Sequence, residues 1–134
     1  MKDEYNKPNG TGAKRIINAA CCSLRGLRFA WKYESAFRQE AIMVATLFPS
    51  TFFLAESLAH WGVLVAALCL LLLTELINSA IETLADRITL AHDPMIGRAK
   101  DIGSAAVIIA LSFIVLLWVM AIYTKIFGSI FLSL

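Results

Sequence analysis

Carboxylates inside an apolar stretch constrain this chain more than any other feature of its sequence. Residues 63–73 are apolar, and the segment continues as Thr-Glu-Leu-Ile-Asn-Ser-Ala-Ile-Glu-Thr-Leu-Ala-Asp-Arg over residues 74–87. On a helix each residue advances by about 100°, so three carboxylates share one face with the amide of Asn78. They are Glu75, Glu82 and Asp86. A carboxylate at membrane depth costs about 2.5–3.5 kcal/mol on insertion scales, so we predict a functional site on this face.

The composition indicates that the apolar stretches cross a membrane. Hydrophobic residues make up 59% of the 134-residue chain and charged residues only 16%, with a mean hydropathy of +0.72. These values would be abnormal for a soluble domain. The polar N-terminus has no signal-peptide pattern. We therefore predict one integral-membrane domain over residues 1–134. Its expected partner is membrane lipid, and binding to nucleic acid is not expected.

Hydropathy and periodicity predict an all-α fold with three transmembrane helices. The spans are placed at about 36–57, 61–85 and 102–124, since a span needs about 20 apolar residues. Pro49 lies inside the first span, so a kinked or re-entrant helix is the alternative there. Residues 13–33 carry apolar and basic side chains on separate faces, which predicts an amphipathic surface helix. Residues 1–12 are predicted to be a disordered tail.

The basic residues predict the orientation in the membrane. Seven of the twelve Lys and Arg residues precede the first span and Arg38 lies in its first turn, three lie between the second and third spans, and only Lys125 follows the third. Because cytoplasmic loops carry the excess of basic residues, the N-terminus is predicted to be cytoplasmic and the C-terminus external. Glu75 then lies about 21 Å from the outer interface at 1.5 Å per residue, within the inner leaflet.

Side chains suited to phosphate chemistry gather at that depth. Carboxylates suit Mg²⁺, Arg98 and Lys100 can neutralise phosphate, and Glu75 can act as a general base. Simpler roles remain open for the others: Asp101 can complement a helix dipole, and the basic pair can serve orientation alone. A rival interpretation is a non-enzymatic, ion-coupled membrane subunit that uses Glu75 as a proton site.

Three sequence motifs carry a resemblance to a known family. They are Glu-Leu-Ile-Asn-Ser-Ala-Ile-Glu at 75–82 with Asp86-Arg87, Gly-Arg-Ala-Lys-Asp-Ile-Gly-Ser-Ala-Ala at 97–106, and Glu-Ser-Ala-Phe-Arg-Gln-Glu at 34–40. The chain resembles the small bacterial integral-membrane diacylglycerol kinases, with undecaprenol kinase as the related alternative. The resemblance implies phosphorylation of diacylglycerol by MgATP at the bacterial inner membrane. It also implies a homotrimeric bundle with shared active sites.

The resemblance also implies roles for individual residues. Glu75 would be the catalytic base on the lipid hydroxyl, and Glu34 and Glu82 would hold Mg²⁺. The substrate and ATP site would comprise Arg15, Ser23, Glu34, Asn78, Glu82, Asp86, Arg98, Lys100, Asp101 and Ser104.

Overall fold

The computed structural model describes residues 12–131 and contains four α-helices there. They are α1 (Gly12–Tyr33), α2 (Ser35–Leu54), α3 (Leu58–Ile88) and α4 (Pro94–Phe131). The prediction of an all-α protein is thus confirmed for the described residues. The predicted disordered tail lies outside them except for Gly12, which begins α1 at a positive φ of 60°. The chain divides into two compact units, one ending at Ser35 and the other beginning at Ala36.

The first unit is built around α1, which covers the segment predicted as a surface helix. Its apolar side chains are largely exposed, including Ile16 at 71% and Trp31 at 52% of their full area. Basic side chains share this helix, which ends with Lys32 in its last turn. A helix that exposes apolar and basic groups in this way is suited to a membrane surface. Its placement there stays a prediction.

The second unit is organised around the pairing of α3 with α4. Buried side chains recur every three or four residues along both helices, as expected for two helices that pack along one stripe each. Alanines in this stripe let the backbones approach closely. The buried set comprises Leu64, Ala67, Leu68 and Leu71 of α3 with Val107, Ala110, Ile114, Trp118 and Ala121 of α4. Apolar residues of α2, such as Met43 and Leu47, pack against this stripe from one side.

Two of the helices are long and apolar enough to cross a membrane. Among the described residues these are α3, with a mean hydropathy of 2.2, and the part of α4 up to Gly128, with 2.9. Helix α2 contains 20 residues, but its first turns carry Arg38 and Glu40. The remaining apolar part, residues 41–54, reaches only about 21 Å at 1.5 Å per residue. The first of the three predicted spans, at about 36–57, therefore stays a proposal.

The C-terminal half of α2 is tied to both other helices of its unit by tryptophan side chains. Pro49 lies inside α2 and removes one backbone donor. The hydroxyls of the next two residues, Ser50 and Thr51, each donate to the carbonyl three residues before them. The indole Nε1 of Trp118 donates to the Ser50 Oγ at 3.0 Å, and the indole Nε1 of Trp61 donates to the Thr51 Oγ1 at 3.1 Å. We call these contacts the indole–hydroxyl pairs.

Polar caps place the helix starts outside the apolar stretches. The Ser57 side chain accepts a hydrogen bond from the backbone N–H of His60 and caps α3. The Asp93 Oδ1 accepts from the N–H groups of Met95 and Ile96 at the start of α4. Since α4 begins at Pro94, Asp101 lies beyond its first turn. The simpler role predicted for Asp101, complementing a helix N-terminus, is therefore wrong.

Candidate active site

The predicted polar face of α3 is formed and is largely enclosed within the second unit. The side chain of Glu75 is 3% exposed and that of Asn78 is 7% exposed, while Glu82 is half-buried. The helix period alone brings the three side chains to one face. An enclosed carboxylate and amide without a role would be costly, so these residues form the centre of the candidate site.

Hydrogen bonds along α3 orient the two carboxylates. The Ser79 hydroxyl donates to the Glu75 Oε1 at 3.4 Å, and the Asn78 Nδ2 donates to the Glu82 Oε1 at 3.0 Å. The Oδ1 of Asn78 is buried without a hydrogen-bond partner. The sequence did not identify Ser79 as a site residue. Its four-residue spacing from Glu75 was the available signal.

Glu40 of α2 is the second residue that sequence reasoning left out of the site. Its carboxylate lies close enough to Glu75 for the two groups to interact electrostatically. One of its oxygens, Oε2, is buried without a hydrogen-bond partner. The proximity arises from packing of α2 on α3, which no local pattern in the sequence reveals. Glu40 thus adds a second carboxylate to the site beside Glu75.

Asp86 and Lys100 connect the ends of α3 and α4 nearest the predicted cytoplasmic side. The Lys100 Nζ donates to the Asp86 Oδ1 at 2.5 Å. Lys100 precedes the apolar stretch that starts at Ile102, and the hydrogen bond to Asp86 raises the pKa of its ammonium group. An exposed ion pair contributes little to stability, because water screens both charges. It can therefore open at little cost when a phosphate group binds the ammonium.

A cavity lies beside this ion pair, under the loop that joins α3 and α4. Its volume is about 560 Å³, within the range of small-molecule sites. Sequence reasoning assigned no role to the loop, and periodicity carries no signal for it. The lining includes Asp86, His92, Asp93, Gly97, Lys100 and Asp101.

The remaining predicted residues are distributed over α4 and the first unit. Arg98, Asp101 and Ser104 are exposed on α4. Arg15, Ser23 and Glu34 belong to the first unit, where the Ser23 hydroxyl donates to the carbonyl of Ala19. Glu34 is half-buried in the break between α1 and α2. Their roles in substrate binding stay predictions.

The donor groups of the second unit suit a cation that takes few protein ligands. Within residues 12–131 no three His, Cys, Asp or Glu side chains converge on one point. Mg²⁺ in phosphate-transfer sites needs only one or two carboxylates, because waters and substrate phosphates complete its shell. The half-buried Glu82, oriented by Asn78, provides one such oxygen donor.

Comparison with known proteins gives a consistent result. The sequence profile of the prokaryotic diacylglycerol kinases matches residues 21–122, a range that contains every predicted site residue except Arg15. A diacylglycerol kinase of Haemophilus influenzae is 43% identical over 108 residues, which cover 81% of this chain and 92% of that protein. One from Escherichia coli K12 is 43% identical over 110 residues, covering 82% and 90%. One from Helicobacter pylori is 38% identical over 128 residues, covering 93% of this chain and 100% of that protein.

Proposed function

The chain belongs to the prokaryotic diacylglycerol kinase family, and we propose that it transfers the γ-phosphoryl group of ATP to the free hydroxyl of diacylglycerol. The product is phosphatidic acid. Family membership over most of the chain carries this proposal. The geometry also supports the proposal, because α3 presents the buried Glu75 and Asn78 on one face with the half-buried Glu82.

The reaction requires one proton transfer and one phosphoryl transfer. The lipid hydroxyl oxygen bonds to the γ-phosphorus, the bond from that phosphorus to the bridging oxygen breaks, and ADP leaves. Glu75 accepts the hydroxyl proton. Its burial supports this role, because an apolar diacylglycerol can present its hydroxyl at membrane depth while ATP approaches from water. Positioning and charge neutralisation do most of the remaining work in phosphoryl transfer.

Mg²⁺ would be held by Glu34 and Glu82 together with the nucleotide phosphates. When bound, the cation neutralises charge on the phosphates. Glu82 is suited to the task because the Asn78 amide fixes one of its oxygens. Lys100 would exchange its Asp86 partner for a phosphate oxygen. Arg15, Ser23, Arg98, Asp101 and Ser104 would complete the nucleotide site.

Diacylglycerol and ATP must meet at a membrane interface, and the arrangement of charge supports the cytoplasmic one. The positively charged ends of the second and third spans carry Arg87, Arg98 and Lys100, which the positive-inside rule places in the cytoplasm. Helix α2 would be the remaining span, with its N-terminal turns in the interface. We propose this multi-pass arrangement in the bacterial inner membrane, with α1 on the cytoplasmic surface.

Self-association would complete the site. Intramembrane carboxylates face a bundle interior or a water-filled cavity, and neighbouring subunits would supply lining beyond α3, Glu40 of α2 and Lys100 of α4. The proposed assembly is a homotrimer in which Glu34 and Glu75 of one site come from neighbouring subunits.

The test is phosphorylation by the purified protein in detergent micelles. Radiolabelled ATP is supplied with diacylglycerol, with undecaprenol or without lipid, and the lipid products are separated. We expect labelled phosphatidic acid that depends on diacylglycerol and Mg²⁺. Label in undecaprenyl phosphate alone would show that the lipid assignment is wrong. If neither lipid is labelled by a well-folded preparation, the kinase assignment fails and the ion-coupled subunit regains support.

A further inference from the structure

The closest approach of α3 and α4 within the site occurs at a glycine. Gly103 is buried on α4, and a Cβ atom built there would lie 2.5 Å from the Asn78 Oδ1. Real Cβ atoms do not tolerate contacts below 3.0 Å. The amide oxygen of Asn78 therefore occupies the space that any other residue at position 103 would need for its side chain.

The two ends of the Asn78 amide lie in different surroundings. Its Nδ2 donates to the Glu82 Oε1 at 3.0 Å. Its Oδ1, although buried, has no hydrogen-bond partner and faces the space at Gly103. Because Asn78 is only 7% exposed, the amide has little other room. The orientation that points the NH₂ group at Glu82 depends on the empty position at Gly103.

We propose that Gly103 is a positioning residue that acts through Asn78 on Glu82. The missing side chain admits the Asn78 oxygen, this directs the amide NH₂ to the Glu82 carboxylate, and the other carboxylate oxygen is left for Mg²⁺. The inference rests on the proposed function in one respect, namely that Glu82 holds the cation of MgATP. A residue that orients a metal ligand usually affects metal affinity by about 10–100-fold.

The test compares two identical substitutions on one helix. Gly103→Ala introduces the clash, whereas Gly128→Ala is its matched control, because Gly128 lies on the same helix outside the site and a Cβ there meets no atom within 4 Å. Both changes give α4 the same gain in helix propensity. The first readout is the Mg²⁺ concentration for half-maximal activity. The second requires no turnover: it is Mn²⁺ binding in the presence of a non-hydrolysable ATP analogue, followed by the EPR signal of the free ion.

We expect Gly103→Ala to weaken both readouts by about tenfold or more, with Gly128→Ala unchanged. In an Asn78→Ala background, Gly103→Ala should add nothing, because the clashing oxygen is absent. A general packing role for Gly103 would instead lower thermal stability without moving cation binding, and that result would overturn the proposal. If Gly103→Ala alone does not fold, the double variant decides: cation binding equal to that of Asn78→Ala supports the proposal, and weaker binding refutes it.

Glu82→Gln separates this inference from the proposed function. If Glu82→Gln weakens cation binding and Gly103→Ala does not, only the positioning role fails. If Glu82→Gln leaves cation binding unchanged, Glu82 is no ligand, and both the metal site and the role of Gly103 are rejected.

Discussion

Replacing Glu75 by Gln should lower the activity of the protein without lowering its stability. The substitution keeps the size of the side chain, and its amide oxygen can still accept the hydrogen bond from Ser79. It removes the carboxylate that we propose accepts the lipid proton. General bases contribute about 10²–10⁴-fold to turnover. We therefore expect at least about a 10²-fold loss of kcat, equivalent to about 2.7 kcal/mol in the barrier.

The same change should not destabilise the fold. Glu75 is only 3% exposed, and a carboxylate at membrane depth costs about 2.5–3.5 kcal/mol on insertion scales. Neutralising it removes part of that cost. It also removes the repulsion between the Glu75 and Glu40 carboxylates. The unfolding temperature of Glu75→Gln in detergent should thus equal or exceed that of the unchanged protein.

Two measurements on the same preparation check this reasoning. Turnover is measured with saturating diacylglycerol and MgATP, and thermal unfolding is followed by far-UV circular dichroism. Glu56→Gln is the matched control, because it makes the same chemical change at an exposed carboxylate just before α3. Near-normal turnover of Glu75→Gln would show that Glu75 is not the base. A lower unfolding temperature would show that burial of this carboxylate does not oppose folding.

The remaining predictions concern the metal, the assembly, the topology and the fold. Glu34→Gln and Glu82→Gln should each raise the Mg²⁺ requirement or abolish activity, and unchanged Mg²⁺ titrations of both would reject their role as ligands. Inactive Glu75→Gln and Glu34→Gln subunits, unfolded, mixed and reassembled, should regain partial activity, whereas no recovery from well-assembled mixtures would refute a site shared between these positions. A reporter that is active only in the cytoplasm should be silent when fused to the C-terminus; an active fusion would reverse the predicted orientation. Trp118→Phe should lower stability by about 1 kcal/mol or more, through loss of its hydrogen bond to Ser50 and of part of its buried packing, and the loss should be smaller in a Ser50→Ala background, where only the packing part remains.

Periodicity predicted the parts of the site that lie on one helix. Glu75, Asn78 and Glu82 share a face because the helix repeat requires it, and packing within one chain buries Glu75 and Asn78. Hydropathy was less informative about helix ends. It detects the apolar stretch, whereas hydrogen bonding continues the helix through polar residues, so α3 extends from Leu58 to Ile88 instead of 61–85.

Contacts between helices could not be predicted in this way. Glu40 approaches Glu75, and Gly103 admits the oxygen of Asn78, only because separate helices pack at those points. A single sequence gives no pairing between distant positions. The first of these contacts adds a carboxylate to the site, and the second accounts for a glycine that would otherwise appear to be only a helix residue.

The indole–hydroxyl pairs give this protein a built-in optical probe. The chain has three tryptophans, and two of them, Trp61 and Trp118, donate their indole N–H groups to α2. Their emission therefore depends on whether α2 is seated against α3 and α4. Trp31 belongs to the other unit, so Trp31→Phe would leave a fluorescence signal from the two paired indoles alone. Separation of α2 from its neighbours could then be followed without any label, even in variants whose active site is intact.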